Sequence, residues 1–135
     1  MPPESGIPGS PSDWLRRSRS DLALAKVPLP RGALYEDLCF HAQQAAEKAI
    51  KSVYRAEGYE FRYTHDLTEL LDGLARNGVP VPKAVREAGD LTNFAWQARY
   101  PGPAEPVSED EYRRAVALAE AVVEWAGKLL ENRIE

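Results

Sequence analysis

Five polar side chains in the middle of the chain have types and spacing from which a binding or catalytic site could be built: Asp37, His41, Gln44, Lys48 and Arg55. At about 100° per residue they line one flank of a single helix, beside its apolar face. His41, Gln44 and Lys48 bring an imidazole, an amide and an ammonium to one edge, a set that can hold an anion through charge and hydrogen bonds together. The same stripe also fits a solvated helix edge carrying ordinary salt bridges, with Glu47 and Lys51 one such pair.

Two further places break the surrounding pattern. Arg99 falls on the inner side of its helix, in line with Thr92, Ala95 and Trp96. There it needs a carboxylate, a carbonyl or a phosphate, because an unpaired buried charge is costly. Alternatively it serves as a C-terminal cation on the helix dipole, with Asp21 as partner. His65 and Asp66 stand at a helix start, where Asp66 reads first as an N-cap and second as part of a catalytic pair. Trp96 and Trp125 read as packing residues. One cysteine, Cys39, and two histidines exclude an internal disulfide and any standard zinc site, so no metal and no other cofactor is expected.

The elements that must position these groups are delimited by proline. All 11 prolines fall in four clusters, at 2–11, 28–30, 80–82 and 101–106, and the stretches between them read as helices. The spacing predicts a first helix from an N-cap at Ser12 to Lys26, with Trp14, Asp21, Leu22 and Ala25 inward. A second runs from after Gly32 to Glu57 and is ended by Gly58; its apolar stripe is Leu34, Leu38, Ala42, Ala45, Ala49 and Val53. Tyr35, Cys39, Ala46 and Ile50 widen that face, which implies burial on two sides, within the bundle or against a second copy. A third helix starts at Thr64 or Asp66 and closes at Gly78. A fourth spans Pro82 or Lys83 to Tyr100, with Val85, Ala88, Leu91, Thr92 and Ala95 inward. The last begins at a Ser108–Glu111 capping box. No segment alternates long enough to form a strand. The fold expected is all-α, an up-and-down antiparallel bundle of about five helices spanning residues 13–132, after a flexible tail at 1–12.

With 135 residues, 44% hydrophobic and a net charge of −4, the chain suits one globular domain and argues against a general nucleic-acid coat, which needs many cations to neutralise phosphates. It has no apolar run near the roughly 20 residues that span a bilayer and no signal-peptide core, so a cytoplasmic protein without membrane association is expected.

The segments CFHAQQAAEKAIKSV (39–53), THDLTELL (64–71) and ARYPG (98–102), with Asp21, Leu22 and Ala25 ahead of them and regularly spaced alanines in the last helix, together resemble the HEPN domain over about residues 14–130. That resemblance implies a helical bundle that homodimerises. It also implies frequent pairing with a minimal nucleotidyltransferase, and either nucleotide binding or metal-independent ribonuclease activity in toxin–antitoxin pairs. Ribonuclease members carry an arginine followed a few residues later by a histidine. Arg99 matches the arginine, but positions 104 to 106 are Ala104, Glu105 and Pro106, so the general base of such a nuclease is missing from its expected place. The leading reading is therefore a dimeric module binding a nucleotide or RNA terminus and acting with a nucleotidyltransferase. Its ligand is contacted by Arg99, Lys48 and Gln44, with His41 and Asp66 nearby and Tyr100 offering a face for the base. The alternatives are a ribonuclease using Arg99 with His41 or His65 displaced into the base's role, and a scaffold that only dimerises.

Overall fold

Serine and proline open the first helix two residues earlier than the Ser12 cap expected from sequence. Ser10 is the N-cap, its hydroxyl accepting from the Asp13 amide at 3.1 Å. Pro11 occupies the first helical position, where a missing N–H costs no hydrogen bond and the fixed φ already suits a helix. The computed structural model describes residues 7–94 and 106–133, and among these there are helices and no strand. They are α1 (Pro11–Ala25), α2 (Tyr35–Glu57), α3 (Leu67–Arg76), the short α4 (Lys83–Arg86) running on as a 3₁₀ helix (Glu87–Leu91), and α5 (Glu109–Arg133).

α2 is the spine. It is 23 residues long, about 35 Å, and both α1 and α5 pack along it. Leu38, Ala42, Ala45, Ala49 and Val53 are buried as the stripe predicts, and so are Cys39, Ala46 and Ile50 on the flank. The bundle itself thus covers most of the widened face. Small side chains let α1 approach so closely that Ser18 Oγ donates to the backbone oxygen of Ala45 at 2.6 Å. On the other side Tyr35 stacks on Tyr112 of α5 with centroids 4.9 Å apart, and the Tyr112 hydroxyl donates to Ala25 O at the end of α1. Leu34 departs from the expected stripe. It is the N-cap residue of α2, with extended backbone and an exposed side chain, because the helix starts at Tyr35.

Local signals set the remaining boundaries. Gly58 closes α2 at φ 77°, a left-handed conformation that glycine adopts without a Cβ penalty. Asp66 caps α3 by accepting from the Glu69 amide at 3.2 Å. Ser108 and Glu111 form the reciprocal capping box, at 3.1 and 3.0 Å. The fourth helix is not the single α-helix to Tyr100 that its sequence suggests. After Arg86 it tightens to a 3₁₀ helix over Glu87–Leu91, with Val85, Ala88 and Leu91 still buried. The cause is tertiary: a side chain at Gly89 would overlap the Thr68 hydroxyl, and Thr92 Oγ1 turns back to accept from the Leu67 amide at 3.1 Å. The winding follows these contacts with α3.

No helix among the described residues is long and apolar enough to cross a membrane.

Candidate functional site

Two carboxylates organise the polar face of α2, one from α1 and one from α2 itself. Asp21, on the α1 face turned to α2, receives both His41 and Lys48: its oxygens lie 3.0 Å from His41 Nδ1 and 2.6 Å from Lys48 Nζ. A carboxylate offers only acceptors, so His41 Nδ1 carries the proton and Nε2 is left as the outward nitrogen. Asp21 is buried, while His41 and Lys48 are half-buried at the rim. The arrangement fixes an imidazole and an ammonium side by side while leaving further donors of Lys48 and the far edge of His41 toward solvent.

The second carboxylate is Glu47, which is only 3% exposed. It accepts from Gln43 Nε2 at 3.0 Å, Lys51 Nζ at 2.9 Å and His65 Nδ1 at 2.8 Å. Burial alone would raise its pKa, but the hydrogen bonds from His65, Lys51 and Gln43 prevail and hold the carboxyl below its usual range. The Glu47–Lys51 pair is therefore not the solvated i,i+4 bridge its spacing suggested. Lys51 is 7% exposed, its ammonium 5.5 and 5.1 Å from the ring centroids of Trp14 and Phe61. Those rings roof the pair and exclude water from it. A chain of amides extends the Glu47 set along the face, since Gln44 Nε2 donates to Gln43 Oε1 at 2.7 Å.

Beside Lys48 opens a groove of about 380 Å³ walled by Pro8, Gly9, Asp13, Trp14, Arg17 and Lys48. Asp13 is held at a pKa of about 2, first by the Gly9 amide and then by Arg16 and, against a small desolvation effect, Arg17. The indole N–H of Trp14 is buried and has no acceptor among the described residues. A ligand oxygen entering the groove would meet the Lys48 ammonium and the Arg17 guanidinium beside the Trp14 ring. Cys39 offers no competing chemistry: burial, with Glu36 and Glu111 behind it, pushes its thiol up to about 12, far from a reactive thiolate.

Of the residues singled out from sequence, His41, Gln44 and Lys48 do share one rim. His65 belongs to the other carboxylate, Glu47. Asp66 is occupied as the α3 cap, and Asp37 and Arg55 are exposed. Arg99, Tyr100 and Trp96 lie outside the described residues. Gln43 and the groove around Trp14 were not singled out, and Glu47 was read only as half of a surface ion pair with Lys51. Gln43, Glu47 and Lys51 recur at helical spacing in register with Ile50 and Tyr54, which is the one signal that could have marked them as inward. Among the described residues no three His, Cys, Asp or Glu side chains gather as a metal site requires.

The model of the family described as HEPN domain matches residues 11–130. The crystal structure of TT1696 from Thermus thermophilus is similar at 32% identity, covering 89% of this chain and 98% of that one with a TM-score of 0.78. That of ST0689, an archaeal HEPN homologue, is similar at 25% identity, covering 89% and 97% with a TM-score of 0.71. No curated protein matches the chain.

Proposed function

The chain belongs to the HEPN domain family, and on that premise we propose that it is a dimeric module that binds a nucleotide or an RNA terminus and acts with a nucleotidyltransferase partner, in the manner of a toxin–antitoxin pair. The observation that carries the binding half is the rim on which Asp21 holds His41 and Lys48 together, opening on the groove of Trp14 and Arg17. A phosphate there gains charge-assisted hydrogen bonds from Lys48 and Arg17. Asp21 keeps Lys48 in place before the ligand arrives, so little side-chain freedom is lost on binding. The dimer draws support from Leu24, Val27, Leu29 and Leu34, large apolar side chains left exposed around the α1–α2 turn. The partner and the toxin–antitoxin role rest on the family alone.

Calorimetric titration with ATP, GTP and short RNAs tests the site. We expect saturable binding by the full chain. Lys48→Ala should weaken it about tenfold, which is about 1.4 kcal/mol, and the Lys48→Ala, Arg99→Ala double variant further. Unchanged affinity in the double variant would overturn the assignment.

A further inference from the structure

Tyr63 is 97% exposed. It stands at the end of a row of rings: Trp14 meets Phe61 edge-on with centroids 5.9 Å apart, and Phe61 meets Tyr63 in the same way at 6.4 Å. The Arg55 guanidinium lies 4.5 Å from the Phe61 centroid, and its side chain is exposed. The row thus leads from the groove beside Lys48, through the roof over Lys51, out to the bare ring of Tyr63, with Arg55 on the Phe61 ring behind it. The Tyr63 ring does not contribute to the core, and Phe61 is only half-buried.

We propose that Tyr63, backed by Phe61 and its Arg55, is a stacking platform for an unpaired base, which makes the ligand of this module a single-stranded nucleic acid that runs on from the groove. The inference rests on the reading of the Lys48 groove given above and extends it by one nucleotide step or more. Every base has a π-face, and aromatic rings and guanidinium planes are what single-strand binders offer to it. The charges argue for stacking as the main source of affinity. Arg17 is paired with Asp13, Lys48 with Asp21, Lys51 with Glu47 and Arg62 with Glu69. These paired cations still offer a phosphate directed hydrogen bonds but little net positive charge, Arg55 being the exception, and the whole chain carries a net charge of −4. A duplex presents phosphates and base edges with its π-faces already stacked, so it gains little from such a surface.

The test is fluorescence anisotropy of the full chain with labelled RNA and DNA oligonucleotides of about six nucleotides, a size suited to one module, beside calorimetry with ATP. Single strands should bind more tightly than ATP and much more tightly than a duplex. Tyr63→Leu should weaken the oligonucleotide about tenfold and leave ATP affinity unchanged, while Tyr63→Phe keeps the wild-type value. With about two phosphate contacts the salt slope should be no steeper than about −1.5. The tighter of the RNA and DNA arms identifies the source of the strand. Wild-type oligonucleotide affinity in Tyr63→Leu, or a duplex bound as well as a single strand, overturns the platform. The two readings separate cleanly. Loss with Lys48→Ala but not Tyr63→Leu leaves the groove and removes the platform; loss with Tyr63→Leu and ATP affinity unmoved by Lys48→Ala does the reverse.

Discussion

Replacing Glu47 by leucine is expected to lower the free energy of unfolding by about 3–5 kcal/mol, the range for removing one partner of a buried ion pair. The carboxylate is the common acceptor of Gln43, Lys51 and His65. Its loss strands an ammonium under Trp14 and Phe61, where water does not reach it and cation–ring contacts alone cannot offset desolvation. An exposed pair of the same spacing, Glu124 and Lys128, is the internal control, and its disruption should cost less than about 1 kcal/mol. Urea denaturation reads both. A loss below about 1 kcal/mol for Glu47→Leu would mean that Lys51 reaches solvent easily and that the pair does not organise the helix.

The same variant carries a pH signature. The Glu47 carboxyl is held below its ordinary 4.5 in the fold, so on acidification the unfolded chain takes up its proton first. Its contribution is complete above the unfolded value and is lost as pH falls through the folded one. The gap between wild type and Glu47→Leu should therefore narrow below about pH 4.5, in the acid direction only. Asp13 behaves alike lower down, its share lost between 3.8 and about 2, and it remains in both proteins.

Gly73→Ala is expected to destabilise the domain by about 3 kcal/mol, from overpacking together with a broken buried hydrogen bond. A Cβ at this helical position would overlap the Tyr54 hydroxyl, which is buried and donates to Leu70 O at 2.6 Å. A retreat of the ring would disturb its edge-on contact with Phe61, whose centroid lies 5.9 Å away. Removing the hydroxyl relieves the conflict, because the next atom, Tyr54 Cζ, would lie at an ordinary 3.4 Å. Tyr54→Phe alone should cost about 1 kcal/mol, and Gly73→Ala combined with Tyr54→Phe should be more stable than Gly73→Ala alone. Additive losses in thermal unfolding would refute this account of the glycine.

The contrast between these residues explains what could be read in advance. Gly58, Asp66 and the Ser108–Glu111 box are legible in sequence because their partners lie within a few residues and the geometry of a helix end admits few alternatives. Glu47 and Lys51 are not. A buried i,i+4 pair and a solvated one have the same spacing, and what distinguishes them here is a roof made by Trp14 on α1 and Phe61 after α2. The 3₁₀ turn at Glu87–Leu91 was hidden for the same reason, being set by Thr68 on another helix. His41, Gln44 and Lys48 were legible as a stripe, but Asp21, which joins His41 to Lys48, comes from 20 and 27 positions away. Asp21 was visible only as a carboxylate on an inward face.

Asp21 holds His41 and Lys48 at one rim, with Lys48 as the donor to an anion and His41 as its immediate neighbour, and histidine side-chain NMR tests this arrangement most directly. In the free protein, His41 should be the tautomer protonated on Nδ1, its proton held by Asp21. On adding ATP its ring resonances should shift in proportion to saturation, and Lys48→Ala should abolish the shift at the same nucleotide concentration. A His41 ring protonated on Nε2, or one that does not move while ATP binds, would contradict the account.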